Sequence, residues 1–540
     1  MGGEVADVLI IGAGASGSVA AKHLTESGFD VVMLEQGDWW NPDKFPGNFP
    51  EYELLNSGAF NPNPNARDRD DDYPIDLSNS DQPIYMYSGV GGSTVFFAGV
   101  WSRALPSDFR VRTMDGIADD WPIGYQDLAP FYHINDQDFG ASGLHGNPAF
   151  PDGGANPPLP AHPILPTGRR MAEAMNRLGW HWWPGNSAIP SRPWKNQAQC
   201  VRYGICRAGC TAGSKGSVDI THIPYALSAG LKLITGARVA EITVDEKGLA
   251  SGATYFKNGK EHHQSASVVI LAANGIGTPR LLLMSTSNRF PDGLANSSGV
   301  VGQNLMIHPF AGVIGLYDEP FDDWIGPAGI QIESMEFYES DSSRGFARGS
   351  KWHIMGTGGP LEMAMRRARG EGMRDEPFWG EQFVPKMKEA VGRSIDWIVH
   401  VEDLPEPTNA VTLDPELKDS DGLSAPKVTY ATAENTHVAF DFAIARALEA
   451  HEEAGAEKAW VSGRNMSSGH NLGTARMGDD PAASVVDGTG RAHDVPNLYI
   501  IDGSVFTTST GTNPTATICA IAKRTATYLV ESRGDQLVSG

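Results

Sequence analysis

The chain has 540 residues, more than one compact core usually supports, so two domains or one domain with large insertions are expected. Its apolar fraction of 41% and its 13 Trp exclude a disordered chain. The net charge of -23 disfavours nucleic acid and anionic lipid as partners and reads most simply as a solubilising surface.

Residues 6–35 read as strand, glycine turn, helix and strand. In the turn GAGASG, Gly12 permits the tight bend, Gly14 lets a pyrophosphate approach backbone, and Gly17 lets helix and strand pack closely. With Ala15 and Ser16 these residues form a dinucleotide site at a helix N-terminus. Glu35 stands where an acid accepts hydrogen bonds from adenosine ribose hydroxyls, which disfavours a 2′-phosphate. The motif alone leaves FAD and NAD open. The first strand begins so near Met1 that no signal peptide fits ahead of it, and no apolar run reaches the roughly 20 residues of a bilayer span. A cytoplasmic protein without a membrane span is therefore expected, export with a partner remaining open.

Residues 39–83 are rich in Pro, Asn, Asp and Gly and read as a long surface excursion; they include an acidic run, 68–72, broken by Arg69. A second glycine turn, SGVGGSTVFFAGVWSR, follows at 88–103. After a Pro-rich stretch at 147–166 comes WHWW at 180–183, which reads as core packing in preference to a sugar platform. Cys200, Cys206 and Cys210 then form C-x5-C-x3-C, open to three readings: ligands of an iron-sulfur cluster lacking one iron, a zinc site short of a fourth ligand, or thiols in a packed loop. Cys519 reads as a small core residue.

Strand patterning returns at 231–279, where ATYFKNGK reads as a hairpin arm and a buried strand runs into AANGIGTP. Residues 316–455 carry no comparable turn and read as a second domain. A last buried strand at 498–501 precedes a loop and a helix over about 514–532.

Seven ordered segments, GAGASG with Glu35, GVGGST, ARV at 237–239, AANGIGTP, VGQNLMIHP, HNLGTARMG and IDGS with TGTNPT, together resemble the glucose-methanol-choline (GMC) oxidoreductase family, which binds FAD. The resemblance implies an α/β FAD-binding Rossmann-like domain from 1–130, 221–315 and 456–540. The remainder, 131–220 and 316–455, is expected to form an α+β substrate domain on an antiparallel sheet, with a cysteine-containing loop at 196–216. It further implies that Val239 meets the adenine through its backbone, that Gly91, Gly92 and Ser93 lie along the pyrophosphate and flavin, and that Asp502 and Gly503 hold the rest of the FAD. Ala273 and Thr512 join the cofactor contacts. TVFFAG lacks the histidine that tethers FAD in some members, so the FAD is expected to be non-covalent.

His470 matches the family's catalytic histidine, a group whose unperturbed pKa of about 6.5 suits taking the hydroxyl proton while the carbinol hydrogen leaves as hydride to flavin N5. Asn513 stands where the family has histidine or asparagine and reads as a fixed hydrogen-bond donor to the substrate oxygen. His308 is expected to make a structural hydrogen bond near the domain junction. Within the family the likeness is to the flavin subunits of bacterial fructose, glucose and gluconate dehydrogenases, visible in DWPIGYQDLAPFY and FPDGLANSSGVVGQNLMIHP. Those subunits carry three cysteines at this spacing around a 3Fe-4S cluster that feeds a haem partner; the surrounding loop differs here. The expected function is FAD-dependent oxidation of a sugar, glycoside or polyol alcohol, with oxygen, a quinone or a haem subunit as acceptor. A non-redox hydroxynitrile lyase is the alternative from another class.

Overall fold

A computed structural model describes residues 5–50, 53, 58–67, 69, 72–322, 324–328, 330–356, 359–361, 364 and 380–533. Asp68, Asp70 and Asp71 of the acidic run lie outside these residues.

The first sheet is built around strand Ala6–Ile11, which pairs in parallel with Val31–Leu34 on one side and Lys260–Leu271 on the other. VLII has no polar side chain and is buried, as a central parallel strand covered on both faces requires. Lys232–Ile234 extends the sheet beyond Val31–Leu34. The long strand Lys260–Leu271 serves two partners in succession. Its first half pairs antiparallel with Ala250–Lys257, and Val269, Ile270 and Leu271 pair in parallel with Leu498, Tyr499 and Ile500. Asn258 and Gly259 link the antiparallel arms with φ of 53° and 67°, the left-handed pair that a two-residue hairpin demands. The expected hairpin is present.

The second sheet is antiparallel, in the order Lys458–Met466, Phe310–Leu316, Ser394–Val401, Ser350–Met355, Ile332–Ser334 and Trp183–Pro184. Phe310–Leu316 and Lys458–Met466 of this sheet lie largely within the 221–315 and 456–540 segments expected in the FAD-binding domain. Helix Glu434–Glu453 covers one face, burying Phe440, Ala443 and Ala447 with Trp352, Trp397 and Val399. The partly buried Trp180 and Trp182 pack against that core.

A third, three-stranded sheet corrects the reading of 39–83 as an excursion throughout: Asp76–Ser80 pairs with Ser424–Tyr430, itself paired with Ala410–Lys418. This hairpin is expected in the substrate domain, but it is clamped to the nucleotide unit by the buried pair Arg280 to Asp419 at 2.6 Å and by Arg238 to the partly exposed Asp421 at 2.9 Å. Helix Tyr125–Asp138 also packs against the first core, with Tyr132 bonded to Thr517 at 2.7 Å.

A Cβ on Gly17 would stand 2.1 Å from the Gly12 carbonyl oxygen, closer than any real contact. Gly17→Ala is therefore expected to lower stability by about 1–3 kcal/mol, visible as a lower melting temperature; an unaltered melt would contradict the packing described.

Candidate active site

The nucleotide turn sits against a second glycine turn. A Cβ on Gly92 would come within 2.9 Å of Gly14 Cα, whereas a Cβ on Gly14 would meet nothing within 4 Å. Gly14 therefore opens onto free space, and helix Ala15–Glu26 begins there with no side-chain cap and no acid in its first turn. Its first amides remain available to an anion, which is what a pyrophosphate needs. Glu35 is buried and ties three loops together, accepting from the backbone N–H of Ala13 at 2.8 Å, Gly37 at 3.0 Å and Gly89 at 2.9 Å. Glu35 also lines the cavity beside the nucleotide turn.

One continuous cavity of about 540 Å³ is lined by Gly12, Gly14, Ala15, Ser16, Glu35, Gly92, Ser93, Val239, Ala273, Asp502 and Gly503, and equally by His470 and Asn513. Gly17, Gly91 and Thr512 are not part of its wall. Thr512 is buried, its N–H donating to Thr510 Oγ1 at 3.4 Å. Asp502 accepts from Thr278 Oγ1 at 2.6 Å and from the Asn274 and Ser504 amides, so it anchors the start of helix Asn274–Met284 while facing the cavity. Phe96 and Phe97 line the wall, Phe96 edge-on to Trp40 at 4.6 Å. None of the WHWW residues does so.

The other wall comes from the antiparallel sheet. In Ser350–Met355 and Ser394–Val401, Trp352, Ile354, Trp397 and Val399 point into the second core. The alternate positions His353, Met355, Ile398 and His400 line the cavity, with Lys351 directly opposite His400 in the ladder. Lys351 is fully buried; its Nζ donates to Ser102 Oγ at 2.6 Å and Asn513 Oδ1 at 3.1 Å, and pairs with Glu333 at 3.3 Å. Sequence reading missed Lys351, Glu333, His353 and His400. The signal was present in KWHIM and IDWIVHV, where ionisable groups alternate with large apolar ones, a pattern foreign to an ordinary two-sided core.

His470 lies half-buried on the cavity wall. Its Nδ1 is 3.3 Å from Nδ1 of the buried His308, and its ring stacks on His400 at 5.8 Å. The hydrogen bond expected of His308 is thus made to His470. Burial, then the neighbouring His308 and Lys351, hold the His470 pKa well below the ordinary histidine value, a departure from the near-6.5 expectation. Burial takes His308 down to about 3, and His353 and His400 are likewise driven low. All four rings are neutral at pH 7. The Asn513 loop is pinned by Tyr338, whose hydroxyl accepts from Gly511 N–H at 2.8 Å and donates to Asp108 at 2.8 Å.

Cys200, Cys206 and Cys210 line a second, small cavity of about 30 Å³. The Arg202 amide donates to Cys200 Sγ, and the Ser214 and Lys215 amides to Cys210 Sγ, each at 3.4 Å. Among the described residues no group of three His, Cys, Asp or Glu side chains is placed to hold a metal ion, Cys200, Cys206 and Cys210 included. Buried Lys215 donates to the carbonyls of Val95 at 2.7 Å, Phe97 at 2.8 Å and Cys206 at 2.6 Å, joining this loop to the second glycine turn.

Two models described as GMC oxidoreductase match residues 162–310 and 405–522, and an NAD(P)-binding Rossmann-like model matches 10–39. The chain is 38% identical over 531 residues to 2-methyl-1,2-propanediol dehydrogenase of Mycolicibacterium austroafricanum, covering 97% of this chain and 95% of that one. The chain belongs to the GMC oxidoreductase family. It is 29% identical to the fructose dehydrogenase large subunit of Gluconobacter japonicus, covering 96% of this chain and 97% of that one. The crystal structure of pyridoxine 4-oxidase from Mesorbium loti shares the fold with a TM-score of 0.67 at 19% identity, over 97% of this chain and 99% of that one. As a member of the family this chain is an FAD-dependent oxidoreductase acting on alcohol groups. No described helix is long and apolar enough to cross a membrane.

Because Gly14 has open space where Gly17 has none, Gly14→Val is expected to fold yet lose FAD. Flavin retained after purification should drop at least about tenfold while the circular-dichroism melt of the stripped protein stays near wild type. Full flavin content in this variant would contradict the assignment.

Proposed function

We propose that this enzyme oxidises an alcohol of a small polyhydroxylated substrate, a diol, sugar or glycoside, to the carbonyl, with His470 as base and Asn513 as hydrogen-bond donor. The observation that carries the reading is that both side chains enter the cavity lined by the nucleotide turn. Bound FAD supplies a two-electron hydride acceptor at its N5. Neutral His470 takes the hydroxyl proton as the carbinol hydrogen departs with its electron pair, leaving a C=O bond. When His470 donates its Nδ1 hydrogen to His308, Nε2 keeps the lone pair that accepts this proton. The depressed pKa keeps the base in its active form at neutral pH. A polar substrate is supported by His353 and His400, which line the cavity with buried Nδ1 atoms that have no hydrogen-bond partner among the described residues.

His470→Ala is expected to keep FAD but slow anaerobic flavin bleaching by about 10²–10⁴-fold across 2-methyl-1,2-propanediol, fructose, glucose and gluconate. In the wild type, kcat/KM should stay level down through pH 6.5 and fall only at lower pH, because protonation removes the base and its pKa is shifted downward. Unchanged bleaching in the variant, or loss of rate already above pH 6.5, would count against His470.

For the acceptor, the spacing of Cys200, Cys206 and Cys210 favours a quinone or haem-bearing partner over oxygen. By their spacing Cys200, Cys206 and Cys210 would be the ligands of a 3Fe-4S cluster, whose chemistry is single-electron transfer; the cavity of about 30 Å³ beside them is smaller than such a cluster, so the loop would have to open to take it. The amides donate to Cys200 and Cys210 as they would to ligating thiolates, but burial pushes the Cys200 thiol up to about 11 and raises Cys206 as well. Purified protein is expected to carry iron and acid-labile sulfide, both lost in Cys206→Ser with FAD retained; wild-type protein free of both would remove the cluster.

A further inference from the structure

A carboxamide can present either its oxygen or its NH2 group to a ligand, so a role as donor requires that something hold the oxygen elsewhere. In Asn513 that something is Lys351. Its ammonium carries three hydrogens and no lone pair, and three oxygens surround it: Ser102 Oγ at 2.6 Å, Asn513 Oδ1 at 3.1 Å and Glu333 Oε2 at 3.3 Å. The reversed amide would set an NH2 group against an ammonium in a fully buried site, two donors facing each other with no acceptor between them. That arrangement costs the desolvation of both groups. The amide is therefore locked with Oδ1 toward Lys351, and Nδ2 is the group free to face away from it.

We propose that Lys351 is a positioning residue for alcohol oxidation: it fixes the Asn513 amide and draws electron density through Oδ1, so that Nδ2–H is a stronger donor to the substrate oxygen as negative charge develops there. The inference rests on the reading of Asn513 as that donor. A charge-assisted bond to the amide oxygen is stronger than a neutral one, and in a dry site successive hydrogen bonds polarise one another. Glu333 supplies the counter-charge and is tied to the same group by Ser102, whose hydroxyl donates to Glu333 Oε2 at 3.3 Å. The strand geometry keeps the arrangement rigid. Lys351 lies opposite His400 in one ladder, and Glu333 lies opposite His353 in the next.

A buried Lys–Glu pair can also be merely structural, and removing one partner leaves an uncompensated buried charge. The test therefore uses Lys351→Met together with Glu333→Gln, which removes both charges and keeps the volume. The measurement is stopped-flow anaerobic flavin reduction by the fastest of the four alcohols named above, compared with Asn513→Ala and with the triple variant. The paired variant is expected to keep FAD and its melting temperature. Its limiting reduction rate should fall on the order of tenfold to a hundredfold, with the substrate dissociation constant changed by less than about threefold, because the lost interaction belongs to the transition state. The triple variant should reduce no more slowly than Asn513→Ala, because Lys351 acts through that amide. A triple variant slowed by the product of the two separate factors would overturn the proposal, as would a paired variant that reduces at the wild-type rate. If Asn513→Ala alone leaves reduction unchanged, the donor reading of Asn513 fails, and Lys351 loses its role with it.

Discussion

Three residues of Leu498–Ile500 pair in parallel with Val269, Ile270 and Leu271, and the assembly of the site follows from that pairing. Lys260–Leu271 is already paired to Ala6–Ile11, which delivers the turn of Gly12 and Gly14 to the sheet edge. Adding the final strand beside it brings Asp502, two residues past that strand, onto the Asn274 amide and leads the chain into the loop that carries Asn513. Ligands of open α/β sheets bind at the carboxyl ends of parallel strands, and here three such ends are contributed by the start, the middle and the end of the sequence. Long-range register does the work that a local motif cannot. The apolar side chains of these strands are almost wholly buried in one core on both faces of the sheet, so a slip in register would break close packing on either side.

The antiparallel sheet faces two environments that most sheets do not combine. One face packs Trp352, Trp397 and Val399 under a helix; the other puts His353 and His400 against the cavity, with Lys351 buried beside them. Burying titratable groups is costly, and the sheet limits that cost by keeping the histidines neutral and pairing the one ammonium with Glu333. The outcome is a polar wall without mobile charge. Such a wall offers neutral hydrogen-bonding groups to the cavity in place of charge.

Glycine spacing made the nucleotide site legible, because the constraints on Gly12, Gly14 and Gly17 are local: a turn, an approach and a close packing, all within one βαβ unit. His470 and Asn513 were legible only through the resemblance, since nothing in SSGHNLGT by itself separates a base from a buried histidine. Lys351 was marked only by the alternation in KWHIM, and its partnership with Glu333 and Asn513 was not legible. That partnership depends on the pairing of Ser350–Met355 with two other strands and on a loop far along the chain, and no periodicity encodes partners at that separation. The strand at Asp76–Ser80 was hidden for a related reason. DLSNS has a polar composition and becomes a strand only because Ser424–Tyr430 offers it an edge.

Lys215 extends the same logic to the cysteine loop. Its three carbonyl acceptors come from both loops, Val95 and Phe97 behind the flavin-side turn and Cys206 in the middle of the cysteine segment. An ammonium so bonded is a rivet, because releasing any one carbonyl would leave a buried donor unpaired. The two cavities are therefore held in fixed relation by one side chain.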